Sequence, residues 1–404
     1  MAATHTAPDL LHPEAQTAAL LINLPSLSIE AFDQVLDHLT QAFPSESMIV
    51  ATPDEMFSAE EQTSSATSLK VVRYTPGALA PDAWTLTAVD YLNAYELAQK
   101  HEARAVLQLG PAAQTLDPDA IRSLAVSVLQ GKTDLAVPHY ALPPRAGLVN
   151  SAIFYPLTRA LYGTRPRFPL ALDLCVSVRM AERLASSAQK FTAGNQMDGL
   201  VWPVAEAAVA GFVITEVDAG SRVLPQPAGQ DLNALLAQIT GSLFADIDAK
   251  ATFWQRARVA PSARRANQLG GVSIAAIDEV QPMLSTFQLA YVNLHEIWSL
   301  VLPPQSLLGL KRLSAMPAES FAMPDSLWAR IVYDFLLAYR LRTINRGHLL
   351  GALTPLYLAW VVSHILQTGS GKKPEDHVES VAAAFEAEKP YLVSRWRWPD
   401  RFNP

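Results

Sequence analysis

Residues 103–138, ARAVLQLGPAAQTLDPDAIRSLAVSVLQGKTDLAVP, read as a strand, a helix and a second strand. Ala103–Leu109 and Leu135–Pro138 are apolar runs of strand length. Between them Asp117-Pro118 opens a helix that reaches Gln130, because aspartate caps the free N–H groups of a first turn and proline tolerates that turn. Strand, helix and strand in this order predict a mostly parallel sheet covered on both faces. The alternation extends upstream through strands at Ala19–Asn23, Met48–Ala51 and Leu69–Tyr74, the last preceded by the polar loop Glu60–Ser68. Helices are expected at Ile29–Phe43, with Ser28 as N-cap, and at Ala83–His101. Downstream of Ser151 the pattern turns helical, with one more strand at Phe212–Val217 and a long helix over Asp231–Asp248. Beyond Trp254 it is all helix: Ile274–Leu302, Ser326–Arg342, Leu349–Gln367 and Val378–Ala387, with proline-bearing elbows at Leu302–Gln305 and Ala315–Asp325. The expected organisation is a tail over 1–17, an α/β domain with a Rossmann-like, mostly parallel sheet over 18–250, and a helical C-terminal region over 251–404 packed on it.

Composition narrows the function. Charged residues are 17% of the 404, hydrophobic ones 50%, and the net charge is -7, which excludes an intrinsically disordered chain and a nucleic-acid-coating surface. Glycine, at 18 residues, is scarce against a usual share of about 7%, a first sign against a rich phosphate cradle. The single cysteine, Cys175, forms no internal disulfide, and Met1–Pro13 has no basic stretch leading into an apolar one, so a cytoplasmic protein is expected. The stretch Gly347–Gly371 lacks Asp, Glu, Lys and Arg, yet Gly351, Thr354, Pro355, Ser363 and His364 interrupt its apolarity, and it reads as a buried helix rather than a membrane span.

Several motifs dissolve on inspection. Thr368–Lys373 resembles the end of a phosphate-binding loop, but Leu366 stands where the first glycine belongs and Lys373 replaces the hydroxyl residue that would hold magnesium. Asp246 and Asp248 lie two apart on a helix and point about 200° from each other, while Asp117 and Asp119 serve a helix start. The nine histidines show no zinc spacing, and no Gly-x-Ser-x-Gly elbow occurs. The clusters Arg256, Arg258, Arg264, Arg265 and Arg340, Arg342, Arg346 suit an anion or an acidic partner, and solvated helix faces equally well.

Residues 150–169, NSAIFYPLTRALYGTRPRFP, carry a resemblance, joined by Gly241–Phe244, by Tyr333, Phe335 and Tyr339, and by Asn345–Leu350. This pattern resembles bacterial family 2-like glycosyltransferases of the glucosyl-3-phosphoglycerate and mannosylglycerate synthase type. The resemblance implies a GT-A fold that binds a nucleotide-sugar, with Pro25, Asn150, Arg159, Tyr162, Arg165 and Arg167 as substrate-binding candidates and Asp173 as the candidate catalytic group. At the family's functional positions this chain departs. The turn after the second strand is Ala51–Glu55, no Gly-Lys-Gly appears around Pro81–Leu86, and the metal-binding Asp-x-Asp falls on Gly110, Pro111 and Ala112. The later metal-ligand histidine falls near Leu224, and of the acceptor-pocket Gly-Gly-Asp-Phe-Gly only Asp173 survives in Ala171–Cys175.

A departing diphosphate needs a cation or clustered basic groups, so these losses predict that the divalent metal site is gone and that no cofactor is held. The expected function is a degenerate glycosyltransferase homologue lacking metal-dependent nucleotide-sugar transfer and acting as a binding, regulatory or structural partner. It would work as a homo-oligomer or beside an active paralogue, with a weak sugar or nucleotide-sugar ligand. The alternative is an active, metal-independent transferase serving a small acidic acceptor such as a glycerate. In either case the pocket after the fourth strand is expected to be filled or narrowed by side chains such as Pro111 and Leu224.

Overall fold

A computed structural model describes residues 19–44, 47–53, 69–75, 84–196, 198–225, 231–257 and 274–399. The N-terminal stretch Met1–Pro13, the loop Glu60–Ser68, Asp54 and Glu55, and the arginines Arg258, Arg264 and Arg265 lie outside the described residues. The α/β architecture expected from the sequence, a mostly parallel sheet flanked by helices with a helical C-terminal region, is the one observed. Seven strands, β1 (Leu20–Asn23), β2 (Met48–Pro53), β3 (Lys70–Tyr74), β4 (Ala105–Gln108), β5 (Leu135–Ala141), β6 (Leu174–Ser177) and β7 (Ile214–Ser221), form one sheet in the order β3-β2-β1-β4-β6-β5-β7. All neighbours are parallel except β6, which runs antiparallel to both β4 and β5.

Strands buried on both faces need continuous apolar sequence, and Leu20, Leu21 and Ile22 have no exposed surface. Two helices, α1 (Ile29–Ala42) and α3 (Pro118–Leu129), bury Phe32, Val35, Ile121 and Leu124 on the face presented by Ile22 and Leu107. On the other face α2 (Ala88–Lys100) is joined by α5 (Val178–Ala193), helices α4 (Tyr155–Tyr162) and α6 (Pro203–Ala210) flanking the latter in sequence. Local starts follow the sequence reading: the Ser28 hydroxyl accepts from Ala31 N–H, and the Asp117 carboxylate accepts from Asp119 N–H.

The strand β6 is absent from the sequence reading. It is only four residues long, directly after Asp173 at the end of a mostly apolar stretch, too short for a 2.0 or a 3.6 period to be told. Its placement matters for the site. Antiparallel pairing sets Leu174 opposite Gln108, so Asp173, just before β6, faces the turn just after β4.

The chain continues through α7 (Leu232–Ala249), the short α8 (Ala251–Trp254), α9 (Ile274–Asn293), α10 (His295–Val301), α11 (Pro304–Ser314), α12 (Asp325–Leu341), α13 (Arg346–Gly369) and α14 (Pro374–Arg397). The single helix expected over Ile274–Leu302 is broken at Leu294, and α14 runs well past the Val378–Ala387 expected. One apolar core spans both sides of residue 250, joining Ile153 and Leu157, Leu236 and Phe244 to Trp298, Trp328, Trp360 and Phe385. Two indoles anchor it: Trp328 Nε1 donates to Ala152 O at 2.8 Å and Trp298 Nε1 to Ala352 O at 2.9 Å. Helix α13 is long and apolar enough to cross a membrane, but 83% of its most apolar window is buried inside this core.

Asp334 on α12 is buried beneath α14, accepting from Tyr391 Oη at 2.7 Å and from Arg395. Burial pushes its carboxyl up to about 7 against the pull of Arg395 and Tyr391. Native protein therefore keeps a proton that the unfolded chain has already lost, so stability is full below about pH 4 and falls as pH rises through 7. Urea midpoints are expected to drop between pH 5 and pH 8, and Asp334→Asn is expected to flatten that slope; an unchanged slope in the variant contradicts the assignment.

Candidate functional site

Three segments converge at the C-terminal end of β4. The turn Gly110–Ala112 follows that strand, Asp173 precedes β6, and Arg222 is the first residue past β7. Gly110 has to be glycine, since a Cβ there would lie 2.5 Å from the carbonyl oxygen of Leu172. Ala112 adopts a left-handed φ of 62°, a conformation side chains avoid. That turn aims the carbonyls of Pro111 and Ala112 at Arg222.

The Asp173 and Arg222 side chains are both fully buried. Asp173 Oδ2 accepts from Arg222 Nε at 2.9 Å and from Tyr140 Oη at 2.6 Å, and Oδ1 accepts from Gly110 N–H at 2.9 Å and from Arg222 Nη2 at 3.2 Å. Arg222 also donates to Pro111 O at 2.7 Å, to Thr115 Oγ1 at 3.0 Å, and to Ala112 O. Burial and the adjacent Asp173 push the Tyr140 hydroxyl well above its usual range. The pocket after β4 is thus filled, but by Arg222 and not by the half-buried Leu224 that the sequence reading placed there. Strand β7 runs to Ser221, four residues past the Phe212–Val217 expected, and brings Arg222 to the turn.

A divalent cation needs oxygens with free lone pairs around a common space. At this turn the one carboxylate has both oxygens engaged by donors, and a guanidinium already bears on the two carbonyls. These residues do not fit a divalent cation. Among the described residues no group of three or more His, Cys, Asp or Glu side chains converges elsewhere to hold one.

The remaining candidates separate. Pro25 is half-buried past β1. Arg159 is buried, with Nε on Glu386 Oε1 at 2.8 Å and Nη1 on Glu379 Oε2 at 2.6 Å, tying α4 to α14. Tyr162 and Arg165 line an open hollow of about 370 Å³ with Glu216. Asn150 supports the neighbouring turn, its Nδ2 donating to Arg167 O at 2.8 Å. Arg167 itself lines a cavity of about 320 Å³ with Tyr140, Ser151, Phe168, His364 and Lys373. Another cavity, of about 560 Å³, holds Arg183, Glu206, Asp246 and Lys250 in mutual pairs, with Lys250 Nζ 2.8 Å from Glu206 Oε1. Burial pushes the Asp246 carboxyl up to about 6 despite Lys250. Asp248 pairs instead with Arg340, so the two aspartates diverge as helical spacing requires.

His364, His377 and Asp325 escape the sequence reading because they come from three helices and share no local spacing. The available signal is His364 itself: a histidine inside the uncharged run Gly347–Gly371 has to find a buried partner.

No protein-family model matches the chain, and none of the curated proteins matches it. Solved structures with a similar trace include glucosyl-3-phosphoglycerate synthase from Mycobacterium tuberculosis in complex with phosphoglyceric acid, at 14% identity over 64% of this chain and 84% of that one, with a TM-score of 0.35. The same enzyme with Mn²⁺, uridine-diphosphate-glucose and glycerol 3-phosphate aligns at 15% identity over 67% and 91%, again with a TM-score of 0.35. A mycobacterial protein aligns at 14% identity over 64% and 81%, with the same TM-score. Likeness at this level carries no ligand or activity across to this chain.

Proposed function

We propose that this chain is a glycosyltransferase-like protein that has given up metal-dependent transfer from a nucleotide-sugar and serves as a binding or regulatory partner. One observation carries the reading: the Arg222 guanidinium sits, fully buried, on the carbonyls of Pro111 and Ala112 and on the carboxylate of Asp173. A fixed positive charge there repels the cation that would neutralise a departing diphosphate, and it is too enclosed to follow a leaving group.

Calorimetric titration with UDP-glucose, with and without Mn²⁺, tests this. The expected result is the same weak or absent heat in both, and no glucose transferred to a glycerate or phosphoglycerate. Micromolar binding that requires Mn²⁺, together with turnover, sinks the reading. Turnover without any cation supports instead a metal-independent transferase. The partner role is read by light scattering, where a monomer alone and with every co-expressed relative counts against it.

A further inference from the structure

The cavity of about 320 Å³ lies between the end of β5 and the start of α14, apart from the Arg222 turn, and the inference drawn from it does not rest on the function proposed above. Arg167 is 7% exposed; its guanidinium lies over the Tyr155 and Phe168 rings, its Nε faces Glu375 Oε2 at 3.3 Å, and Nη2 donates to Ser151 Oγ at 2.9 Å. Its Nη1 has no protein acceptor. A buried guanidinium N–H left unmade is costly, and a ligand oxygen would satisfy it. The start of α14 lines the same cavity through Lys373, Pro374 and Glu375, and its N-cap, Lys373, supplies no side-chain capping bond. First-turn N–H groups of a long helix without a capping side chain favour an anion.

The third wall is unusual. His364 Nδ1 and His377 Nδ1 are 2.7 Å apart, and His377 Nε2 lies 3.3 Å from Asp325 Oδ1, whose other oxygen accepts from Ser380 Oγ at 2.6 Å. Although burial pushes the Asp325 carboxyl up, bonds from His377 and Ser380 hold it below its ordinary value, so it is ionised and only accepts. His377 Nε2 therefore carries a proton. In the neutral chain His377 Nδ1 accepts, His364 Nδ1 donates, and His364 Nε2 is left as a lone pair. Burial, together with His377, Arg145, Arg167 and Lys372, pushes His364 down to about 3, which keeps that ring neutral. Lys373 and Glu375 complete the charged surroundings of the cavity.

We propose that this cavity binds a protonated oxyanion, a hydrogen-phosphate group either free or on a small monoester. Arg167 Nη1 and the α14 N-terminus hold its anionic oxygens while its own P–OH donates to His364 Nε2. Sulfate, of the same size and charge, has no proton to give.

Calorimetry at pH 7.5 and low salt is expected to show inorganic phosphate binding at least about tenfold more tightly than sulfate. Methyl phosphate, whose second ionisation lies near pH 6, is expected to share that preference at pH 5.5 and lose it at pH 7.5 if the site takes a monoester, whereas no binding of it at either pH assigns the site to free phosphate. His364→Asn keeps an amide at the Nδ1 position and removes the Nε2 acceptor, so phosphate should fall to the level of sulfate while sulfate is unchanged. Arg167→Met should abolish both. If Arg167→Met does not fold, Glu375→Gln decides, since removing the carboxylate that competes for Arg167 should tighten both anions by about tenfold. Equal binding of phosphate and sulfate by the intact protein, no binding of phosphate, or unchanged affinity in Glu375→Gln overturns the proposal.

Discussion

Arg222→Met is expected to lower the unfolding free energy by about 3–5 kcal/mol, the usual cost of removing one partner of a buried pair and stranding the other. Asp173 would keep the Gly110 N–H and the Tyr140 hydroxyl, but it would be an uncompensated charge with no exposed surface. Pro111 and Ala112 would lose the donors on their carbonyls as well. The double variant Arg222→Met, Asp173→Leu removes both charges together and should cost well under the sum of the two singles. Urea denaturation of the three proteins measures this. A loss below about 1 kcal/mol for Arg222→Met would mean that the pair contributes little and that the turn stands without its guanidinium.

Arg159→Met is the second large effect, again about 3–5 kcal/mol. Both Arg159 and Glu386 are 3% exposed, so the orphaned carboxylate would have no water to turn to. Glu379 is half in solvent and would lose little by comparison. The damage should be directional, because the pair ties α14 to α4. Hydrogen exchange is expected to rise first along α14 around Glu386, before the sheet strands respond. Glu386→Gln keeps an acceptor for Arg159 and should cost only about 1–3 kcal/mol. Uniform acceleration across β1 and β4 in Arg159→Met would refute a local role.

The sheet was legible wherever apolar runs alternated with helices, as in residues 103–138, because strand length and the Asp117-Pro118 start are local signals. Strand β6 was not, since its pairing with β4 depends on residues far apart in the chain. The same limit hid the site. Sequence pointed to the turn at Gly110–Ala112 and to Asp173, but only the course of β7 to Ser221 shows that Arg222 enters it. Arg159 is a candidate through the resemblance, and the sequence around it gives no hint of the glutamates it meets, on a helix more than 200 residues later. Thr368–Lys373, set aside as a phosphate loop, spans the end of α13 and the connection to α14, yet its last lysine lines the Arg167 cavity.

The antiparallel β6 also governs how this chain emerges from a ribosome. Strands β1 to β4 assemble early into one half of the sheet, but β5, synthesised next, has no neighbour there, because β6 must lie between it and β4. Until residue 177 is made, β4 presents an unpaired edge, and β5 waits for β6 on one side and β7 on the other. Open apolar edges invite association with other nascent chains, so the interval between the synthesis of β4 and that of β7 is when this protein most needs a chaperone.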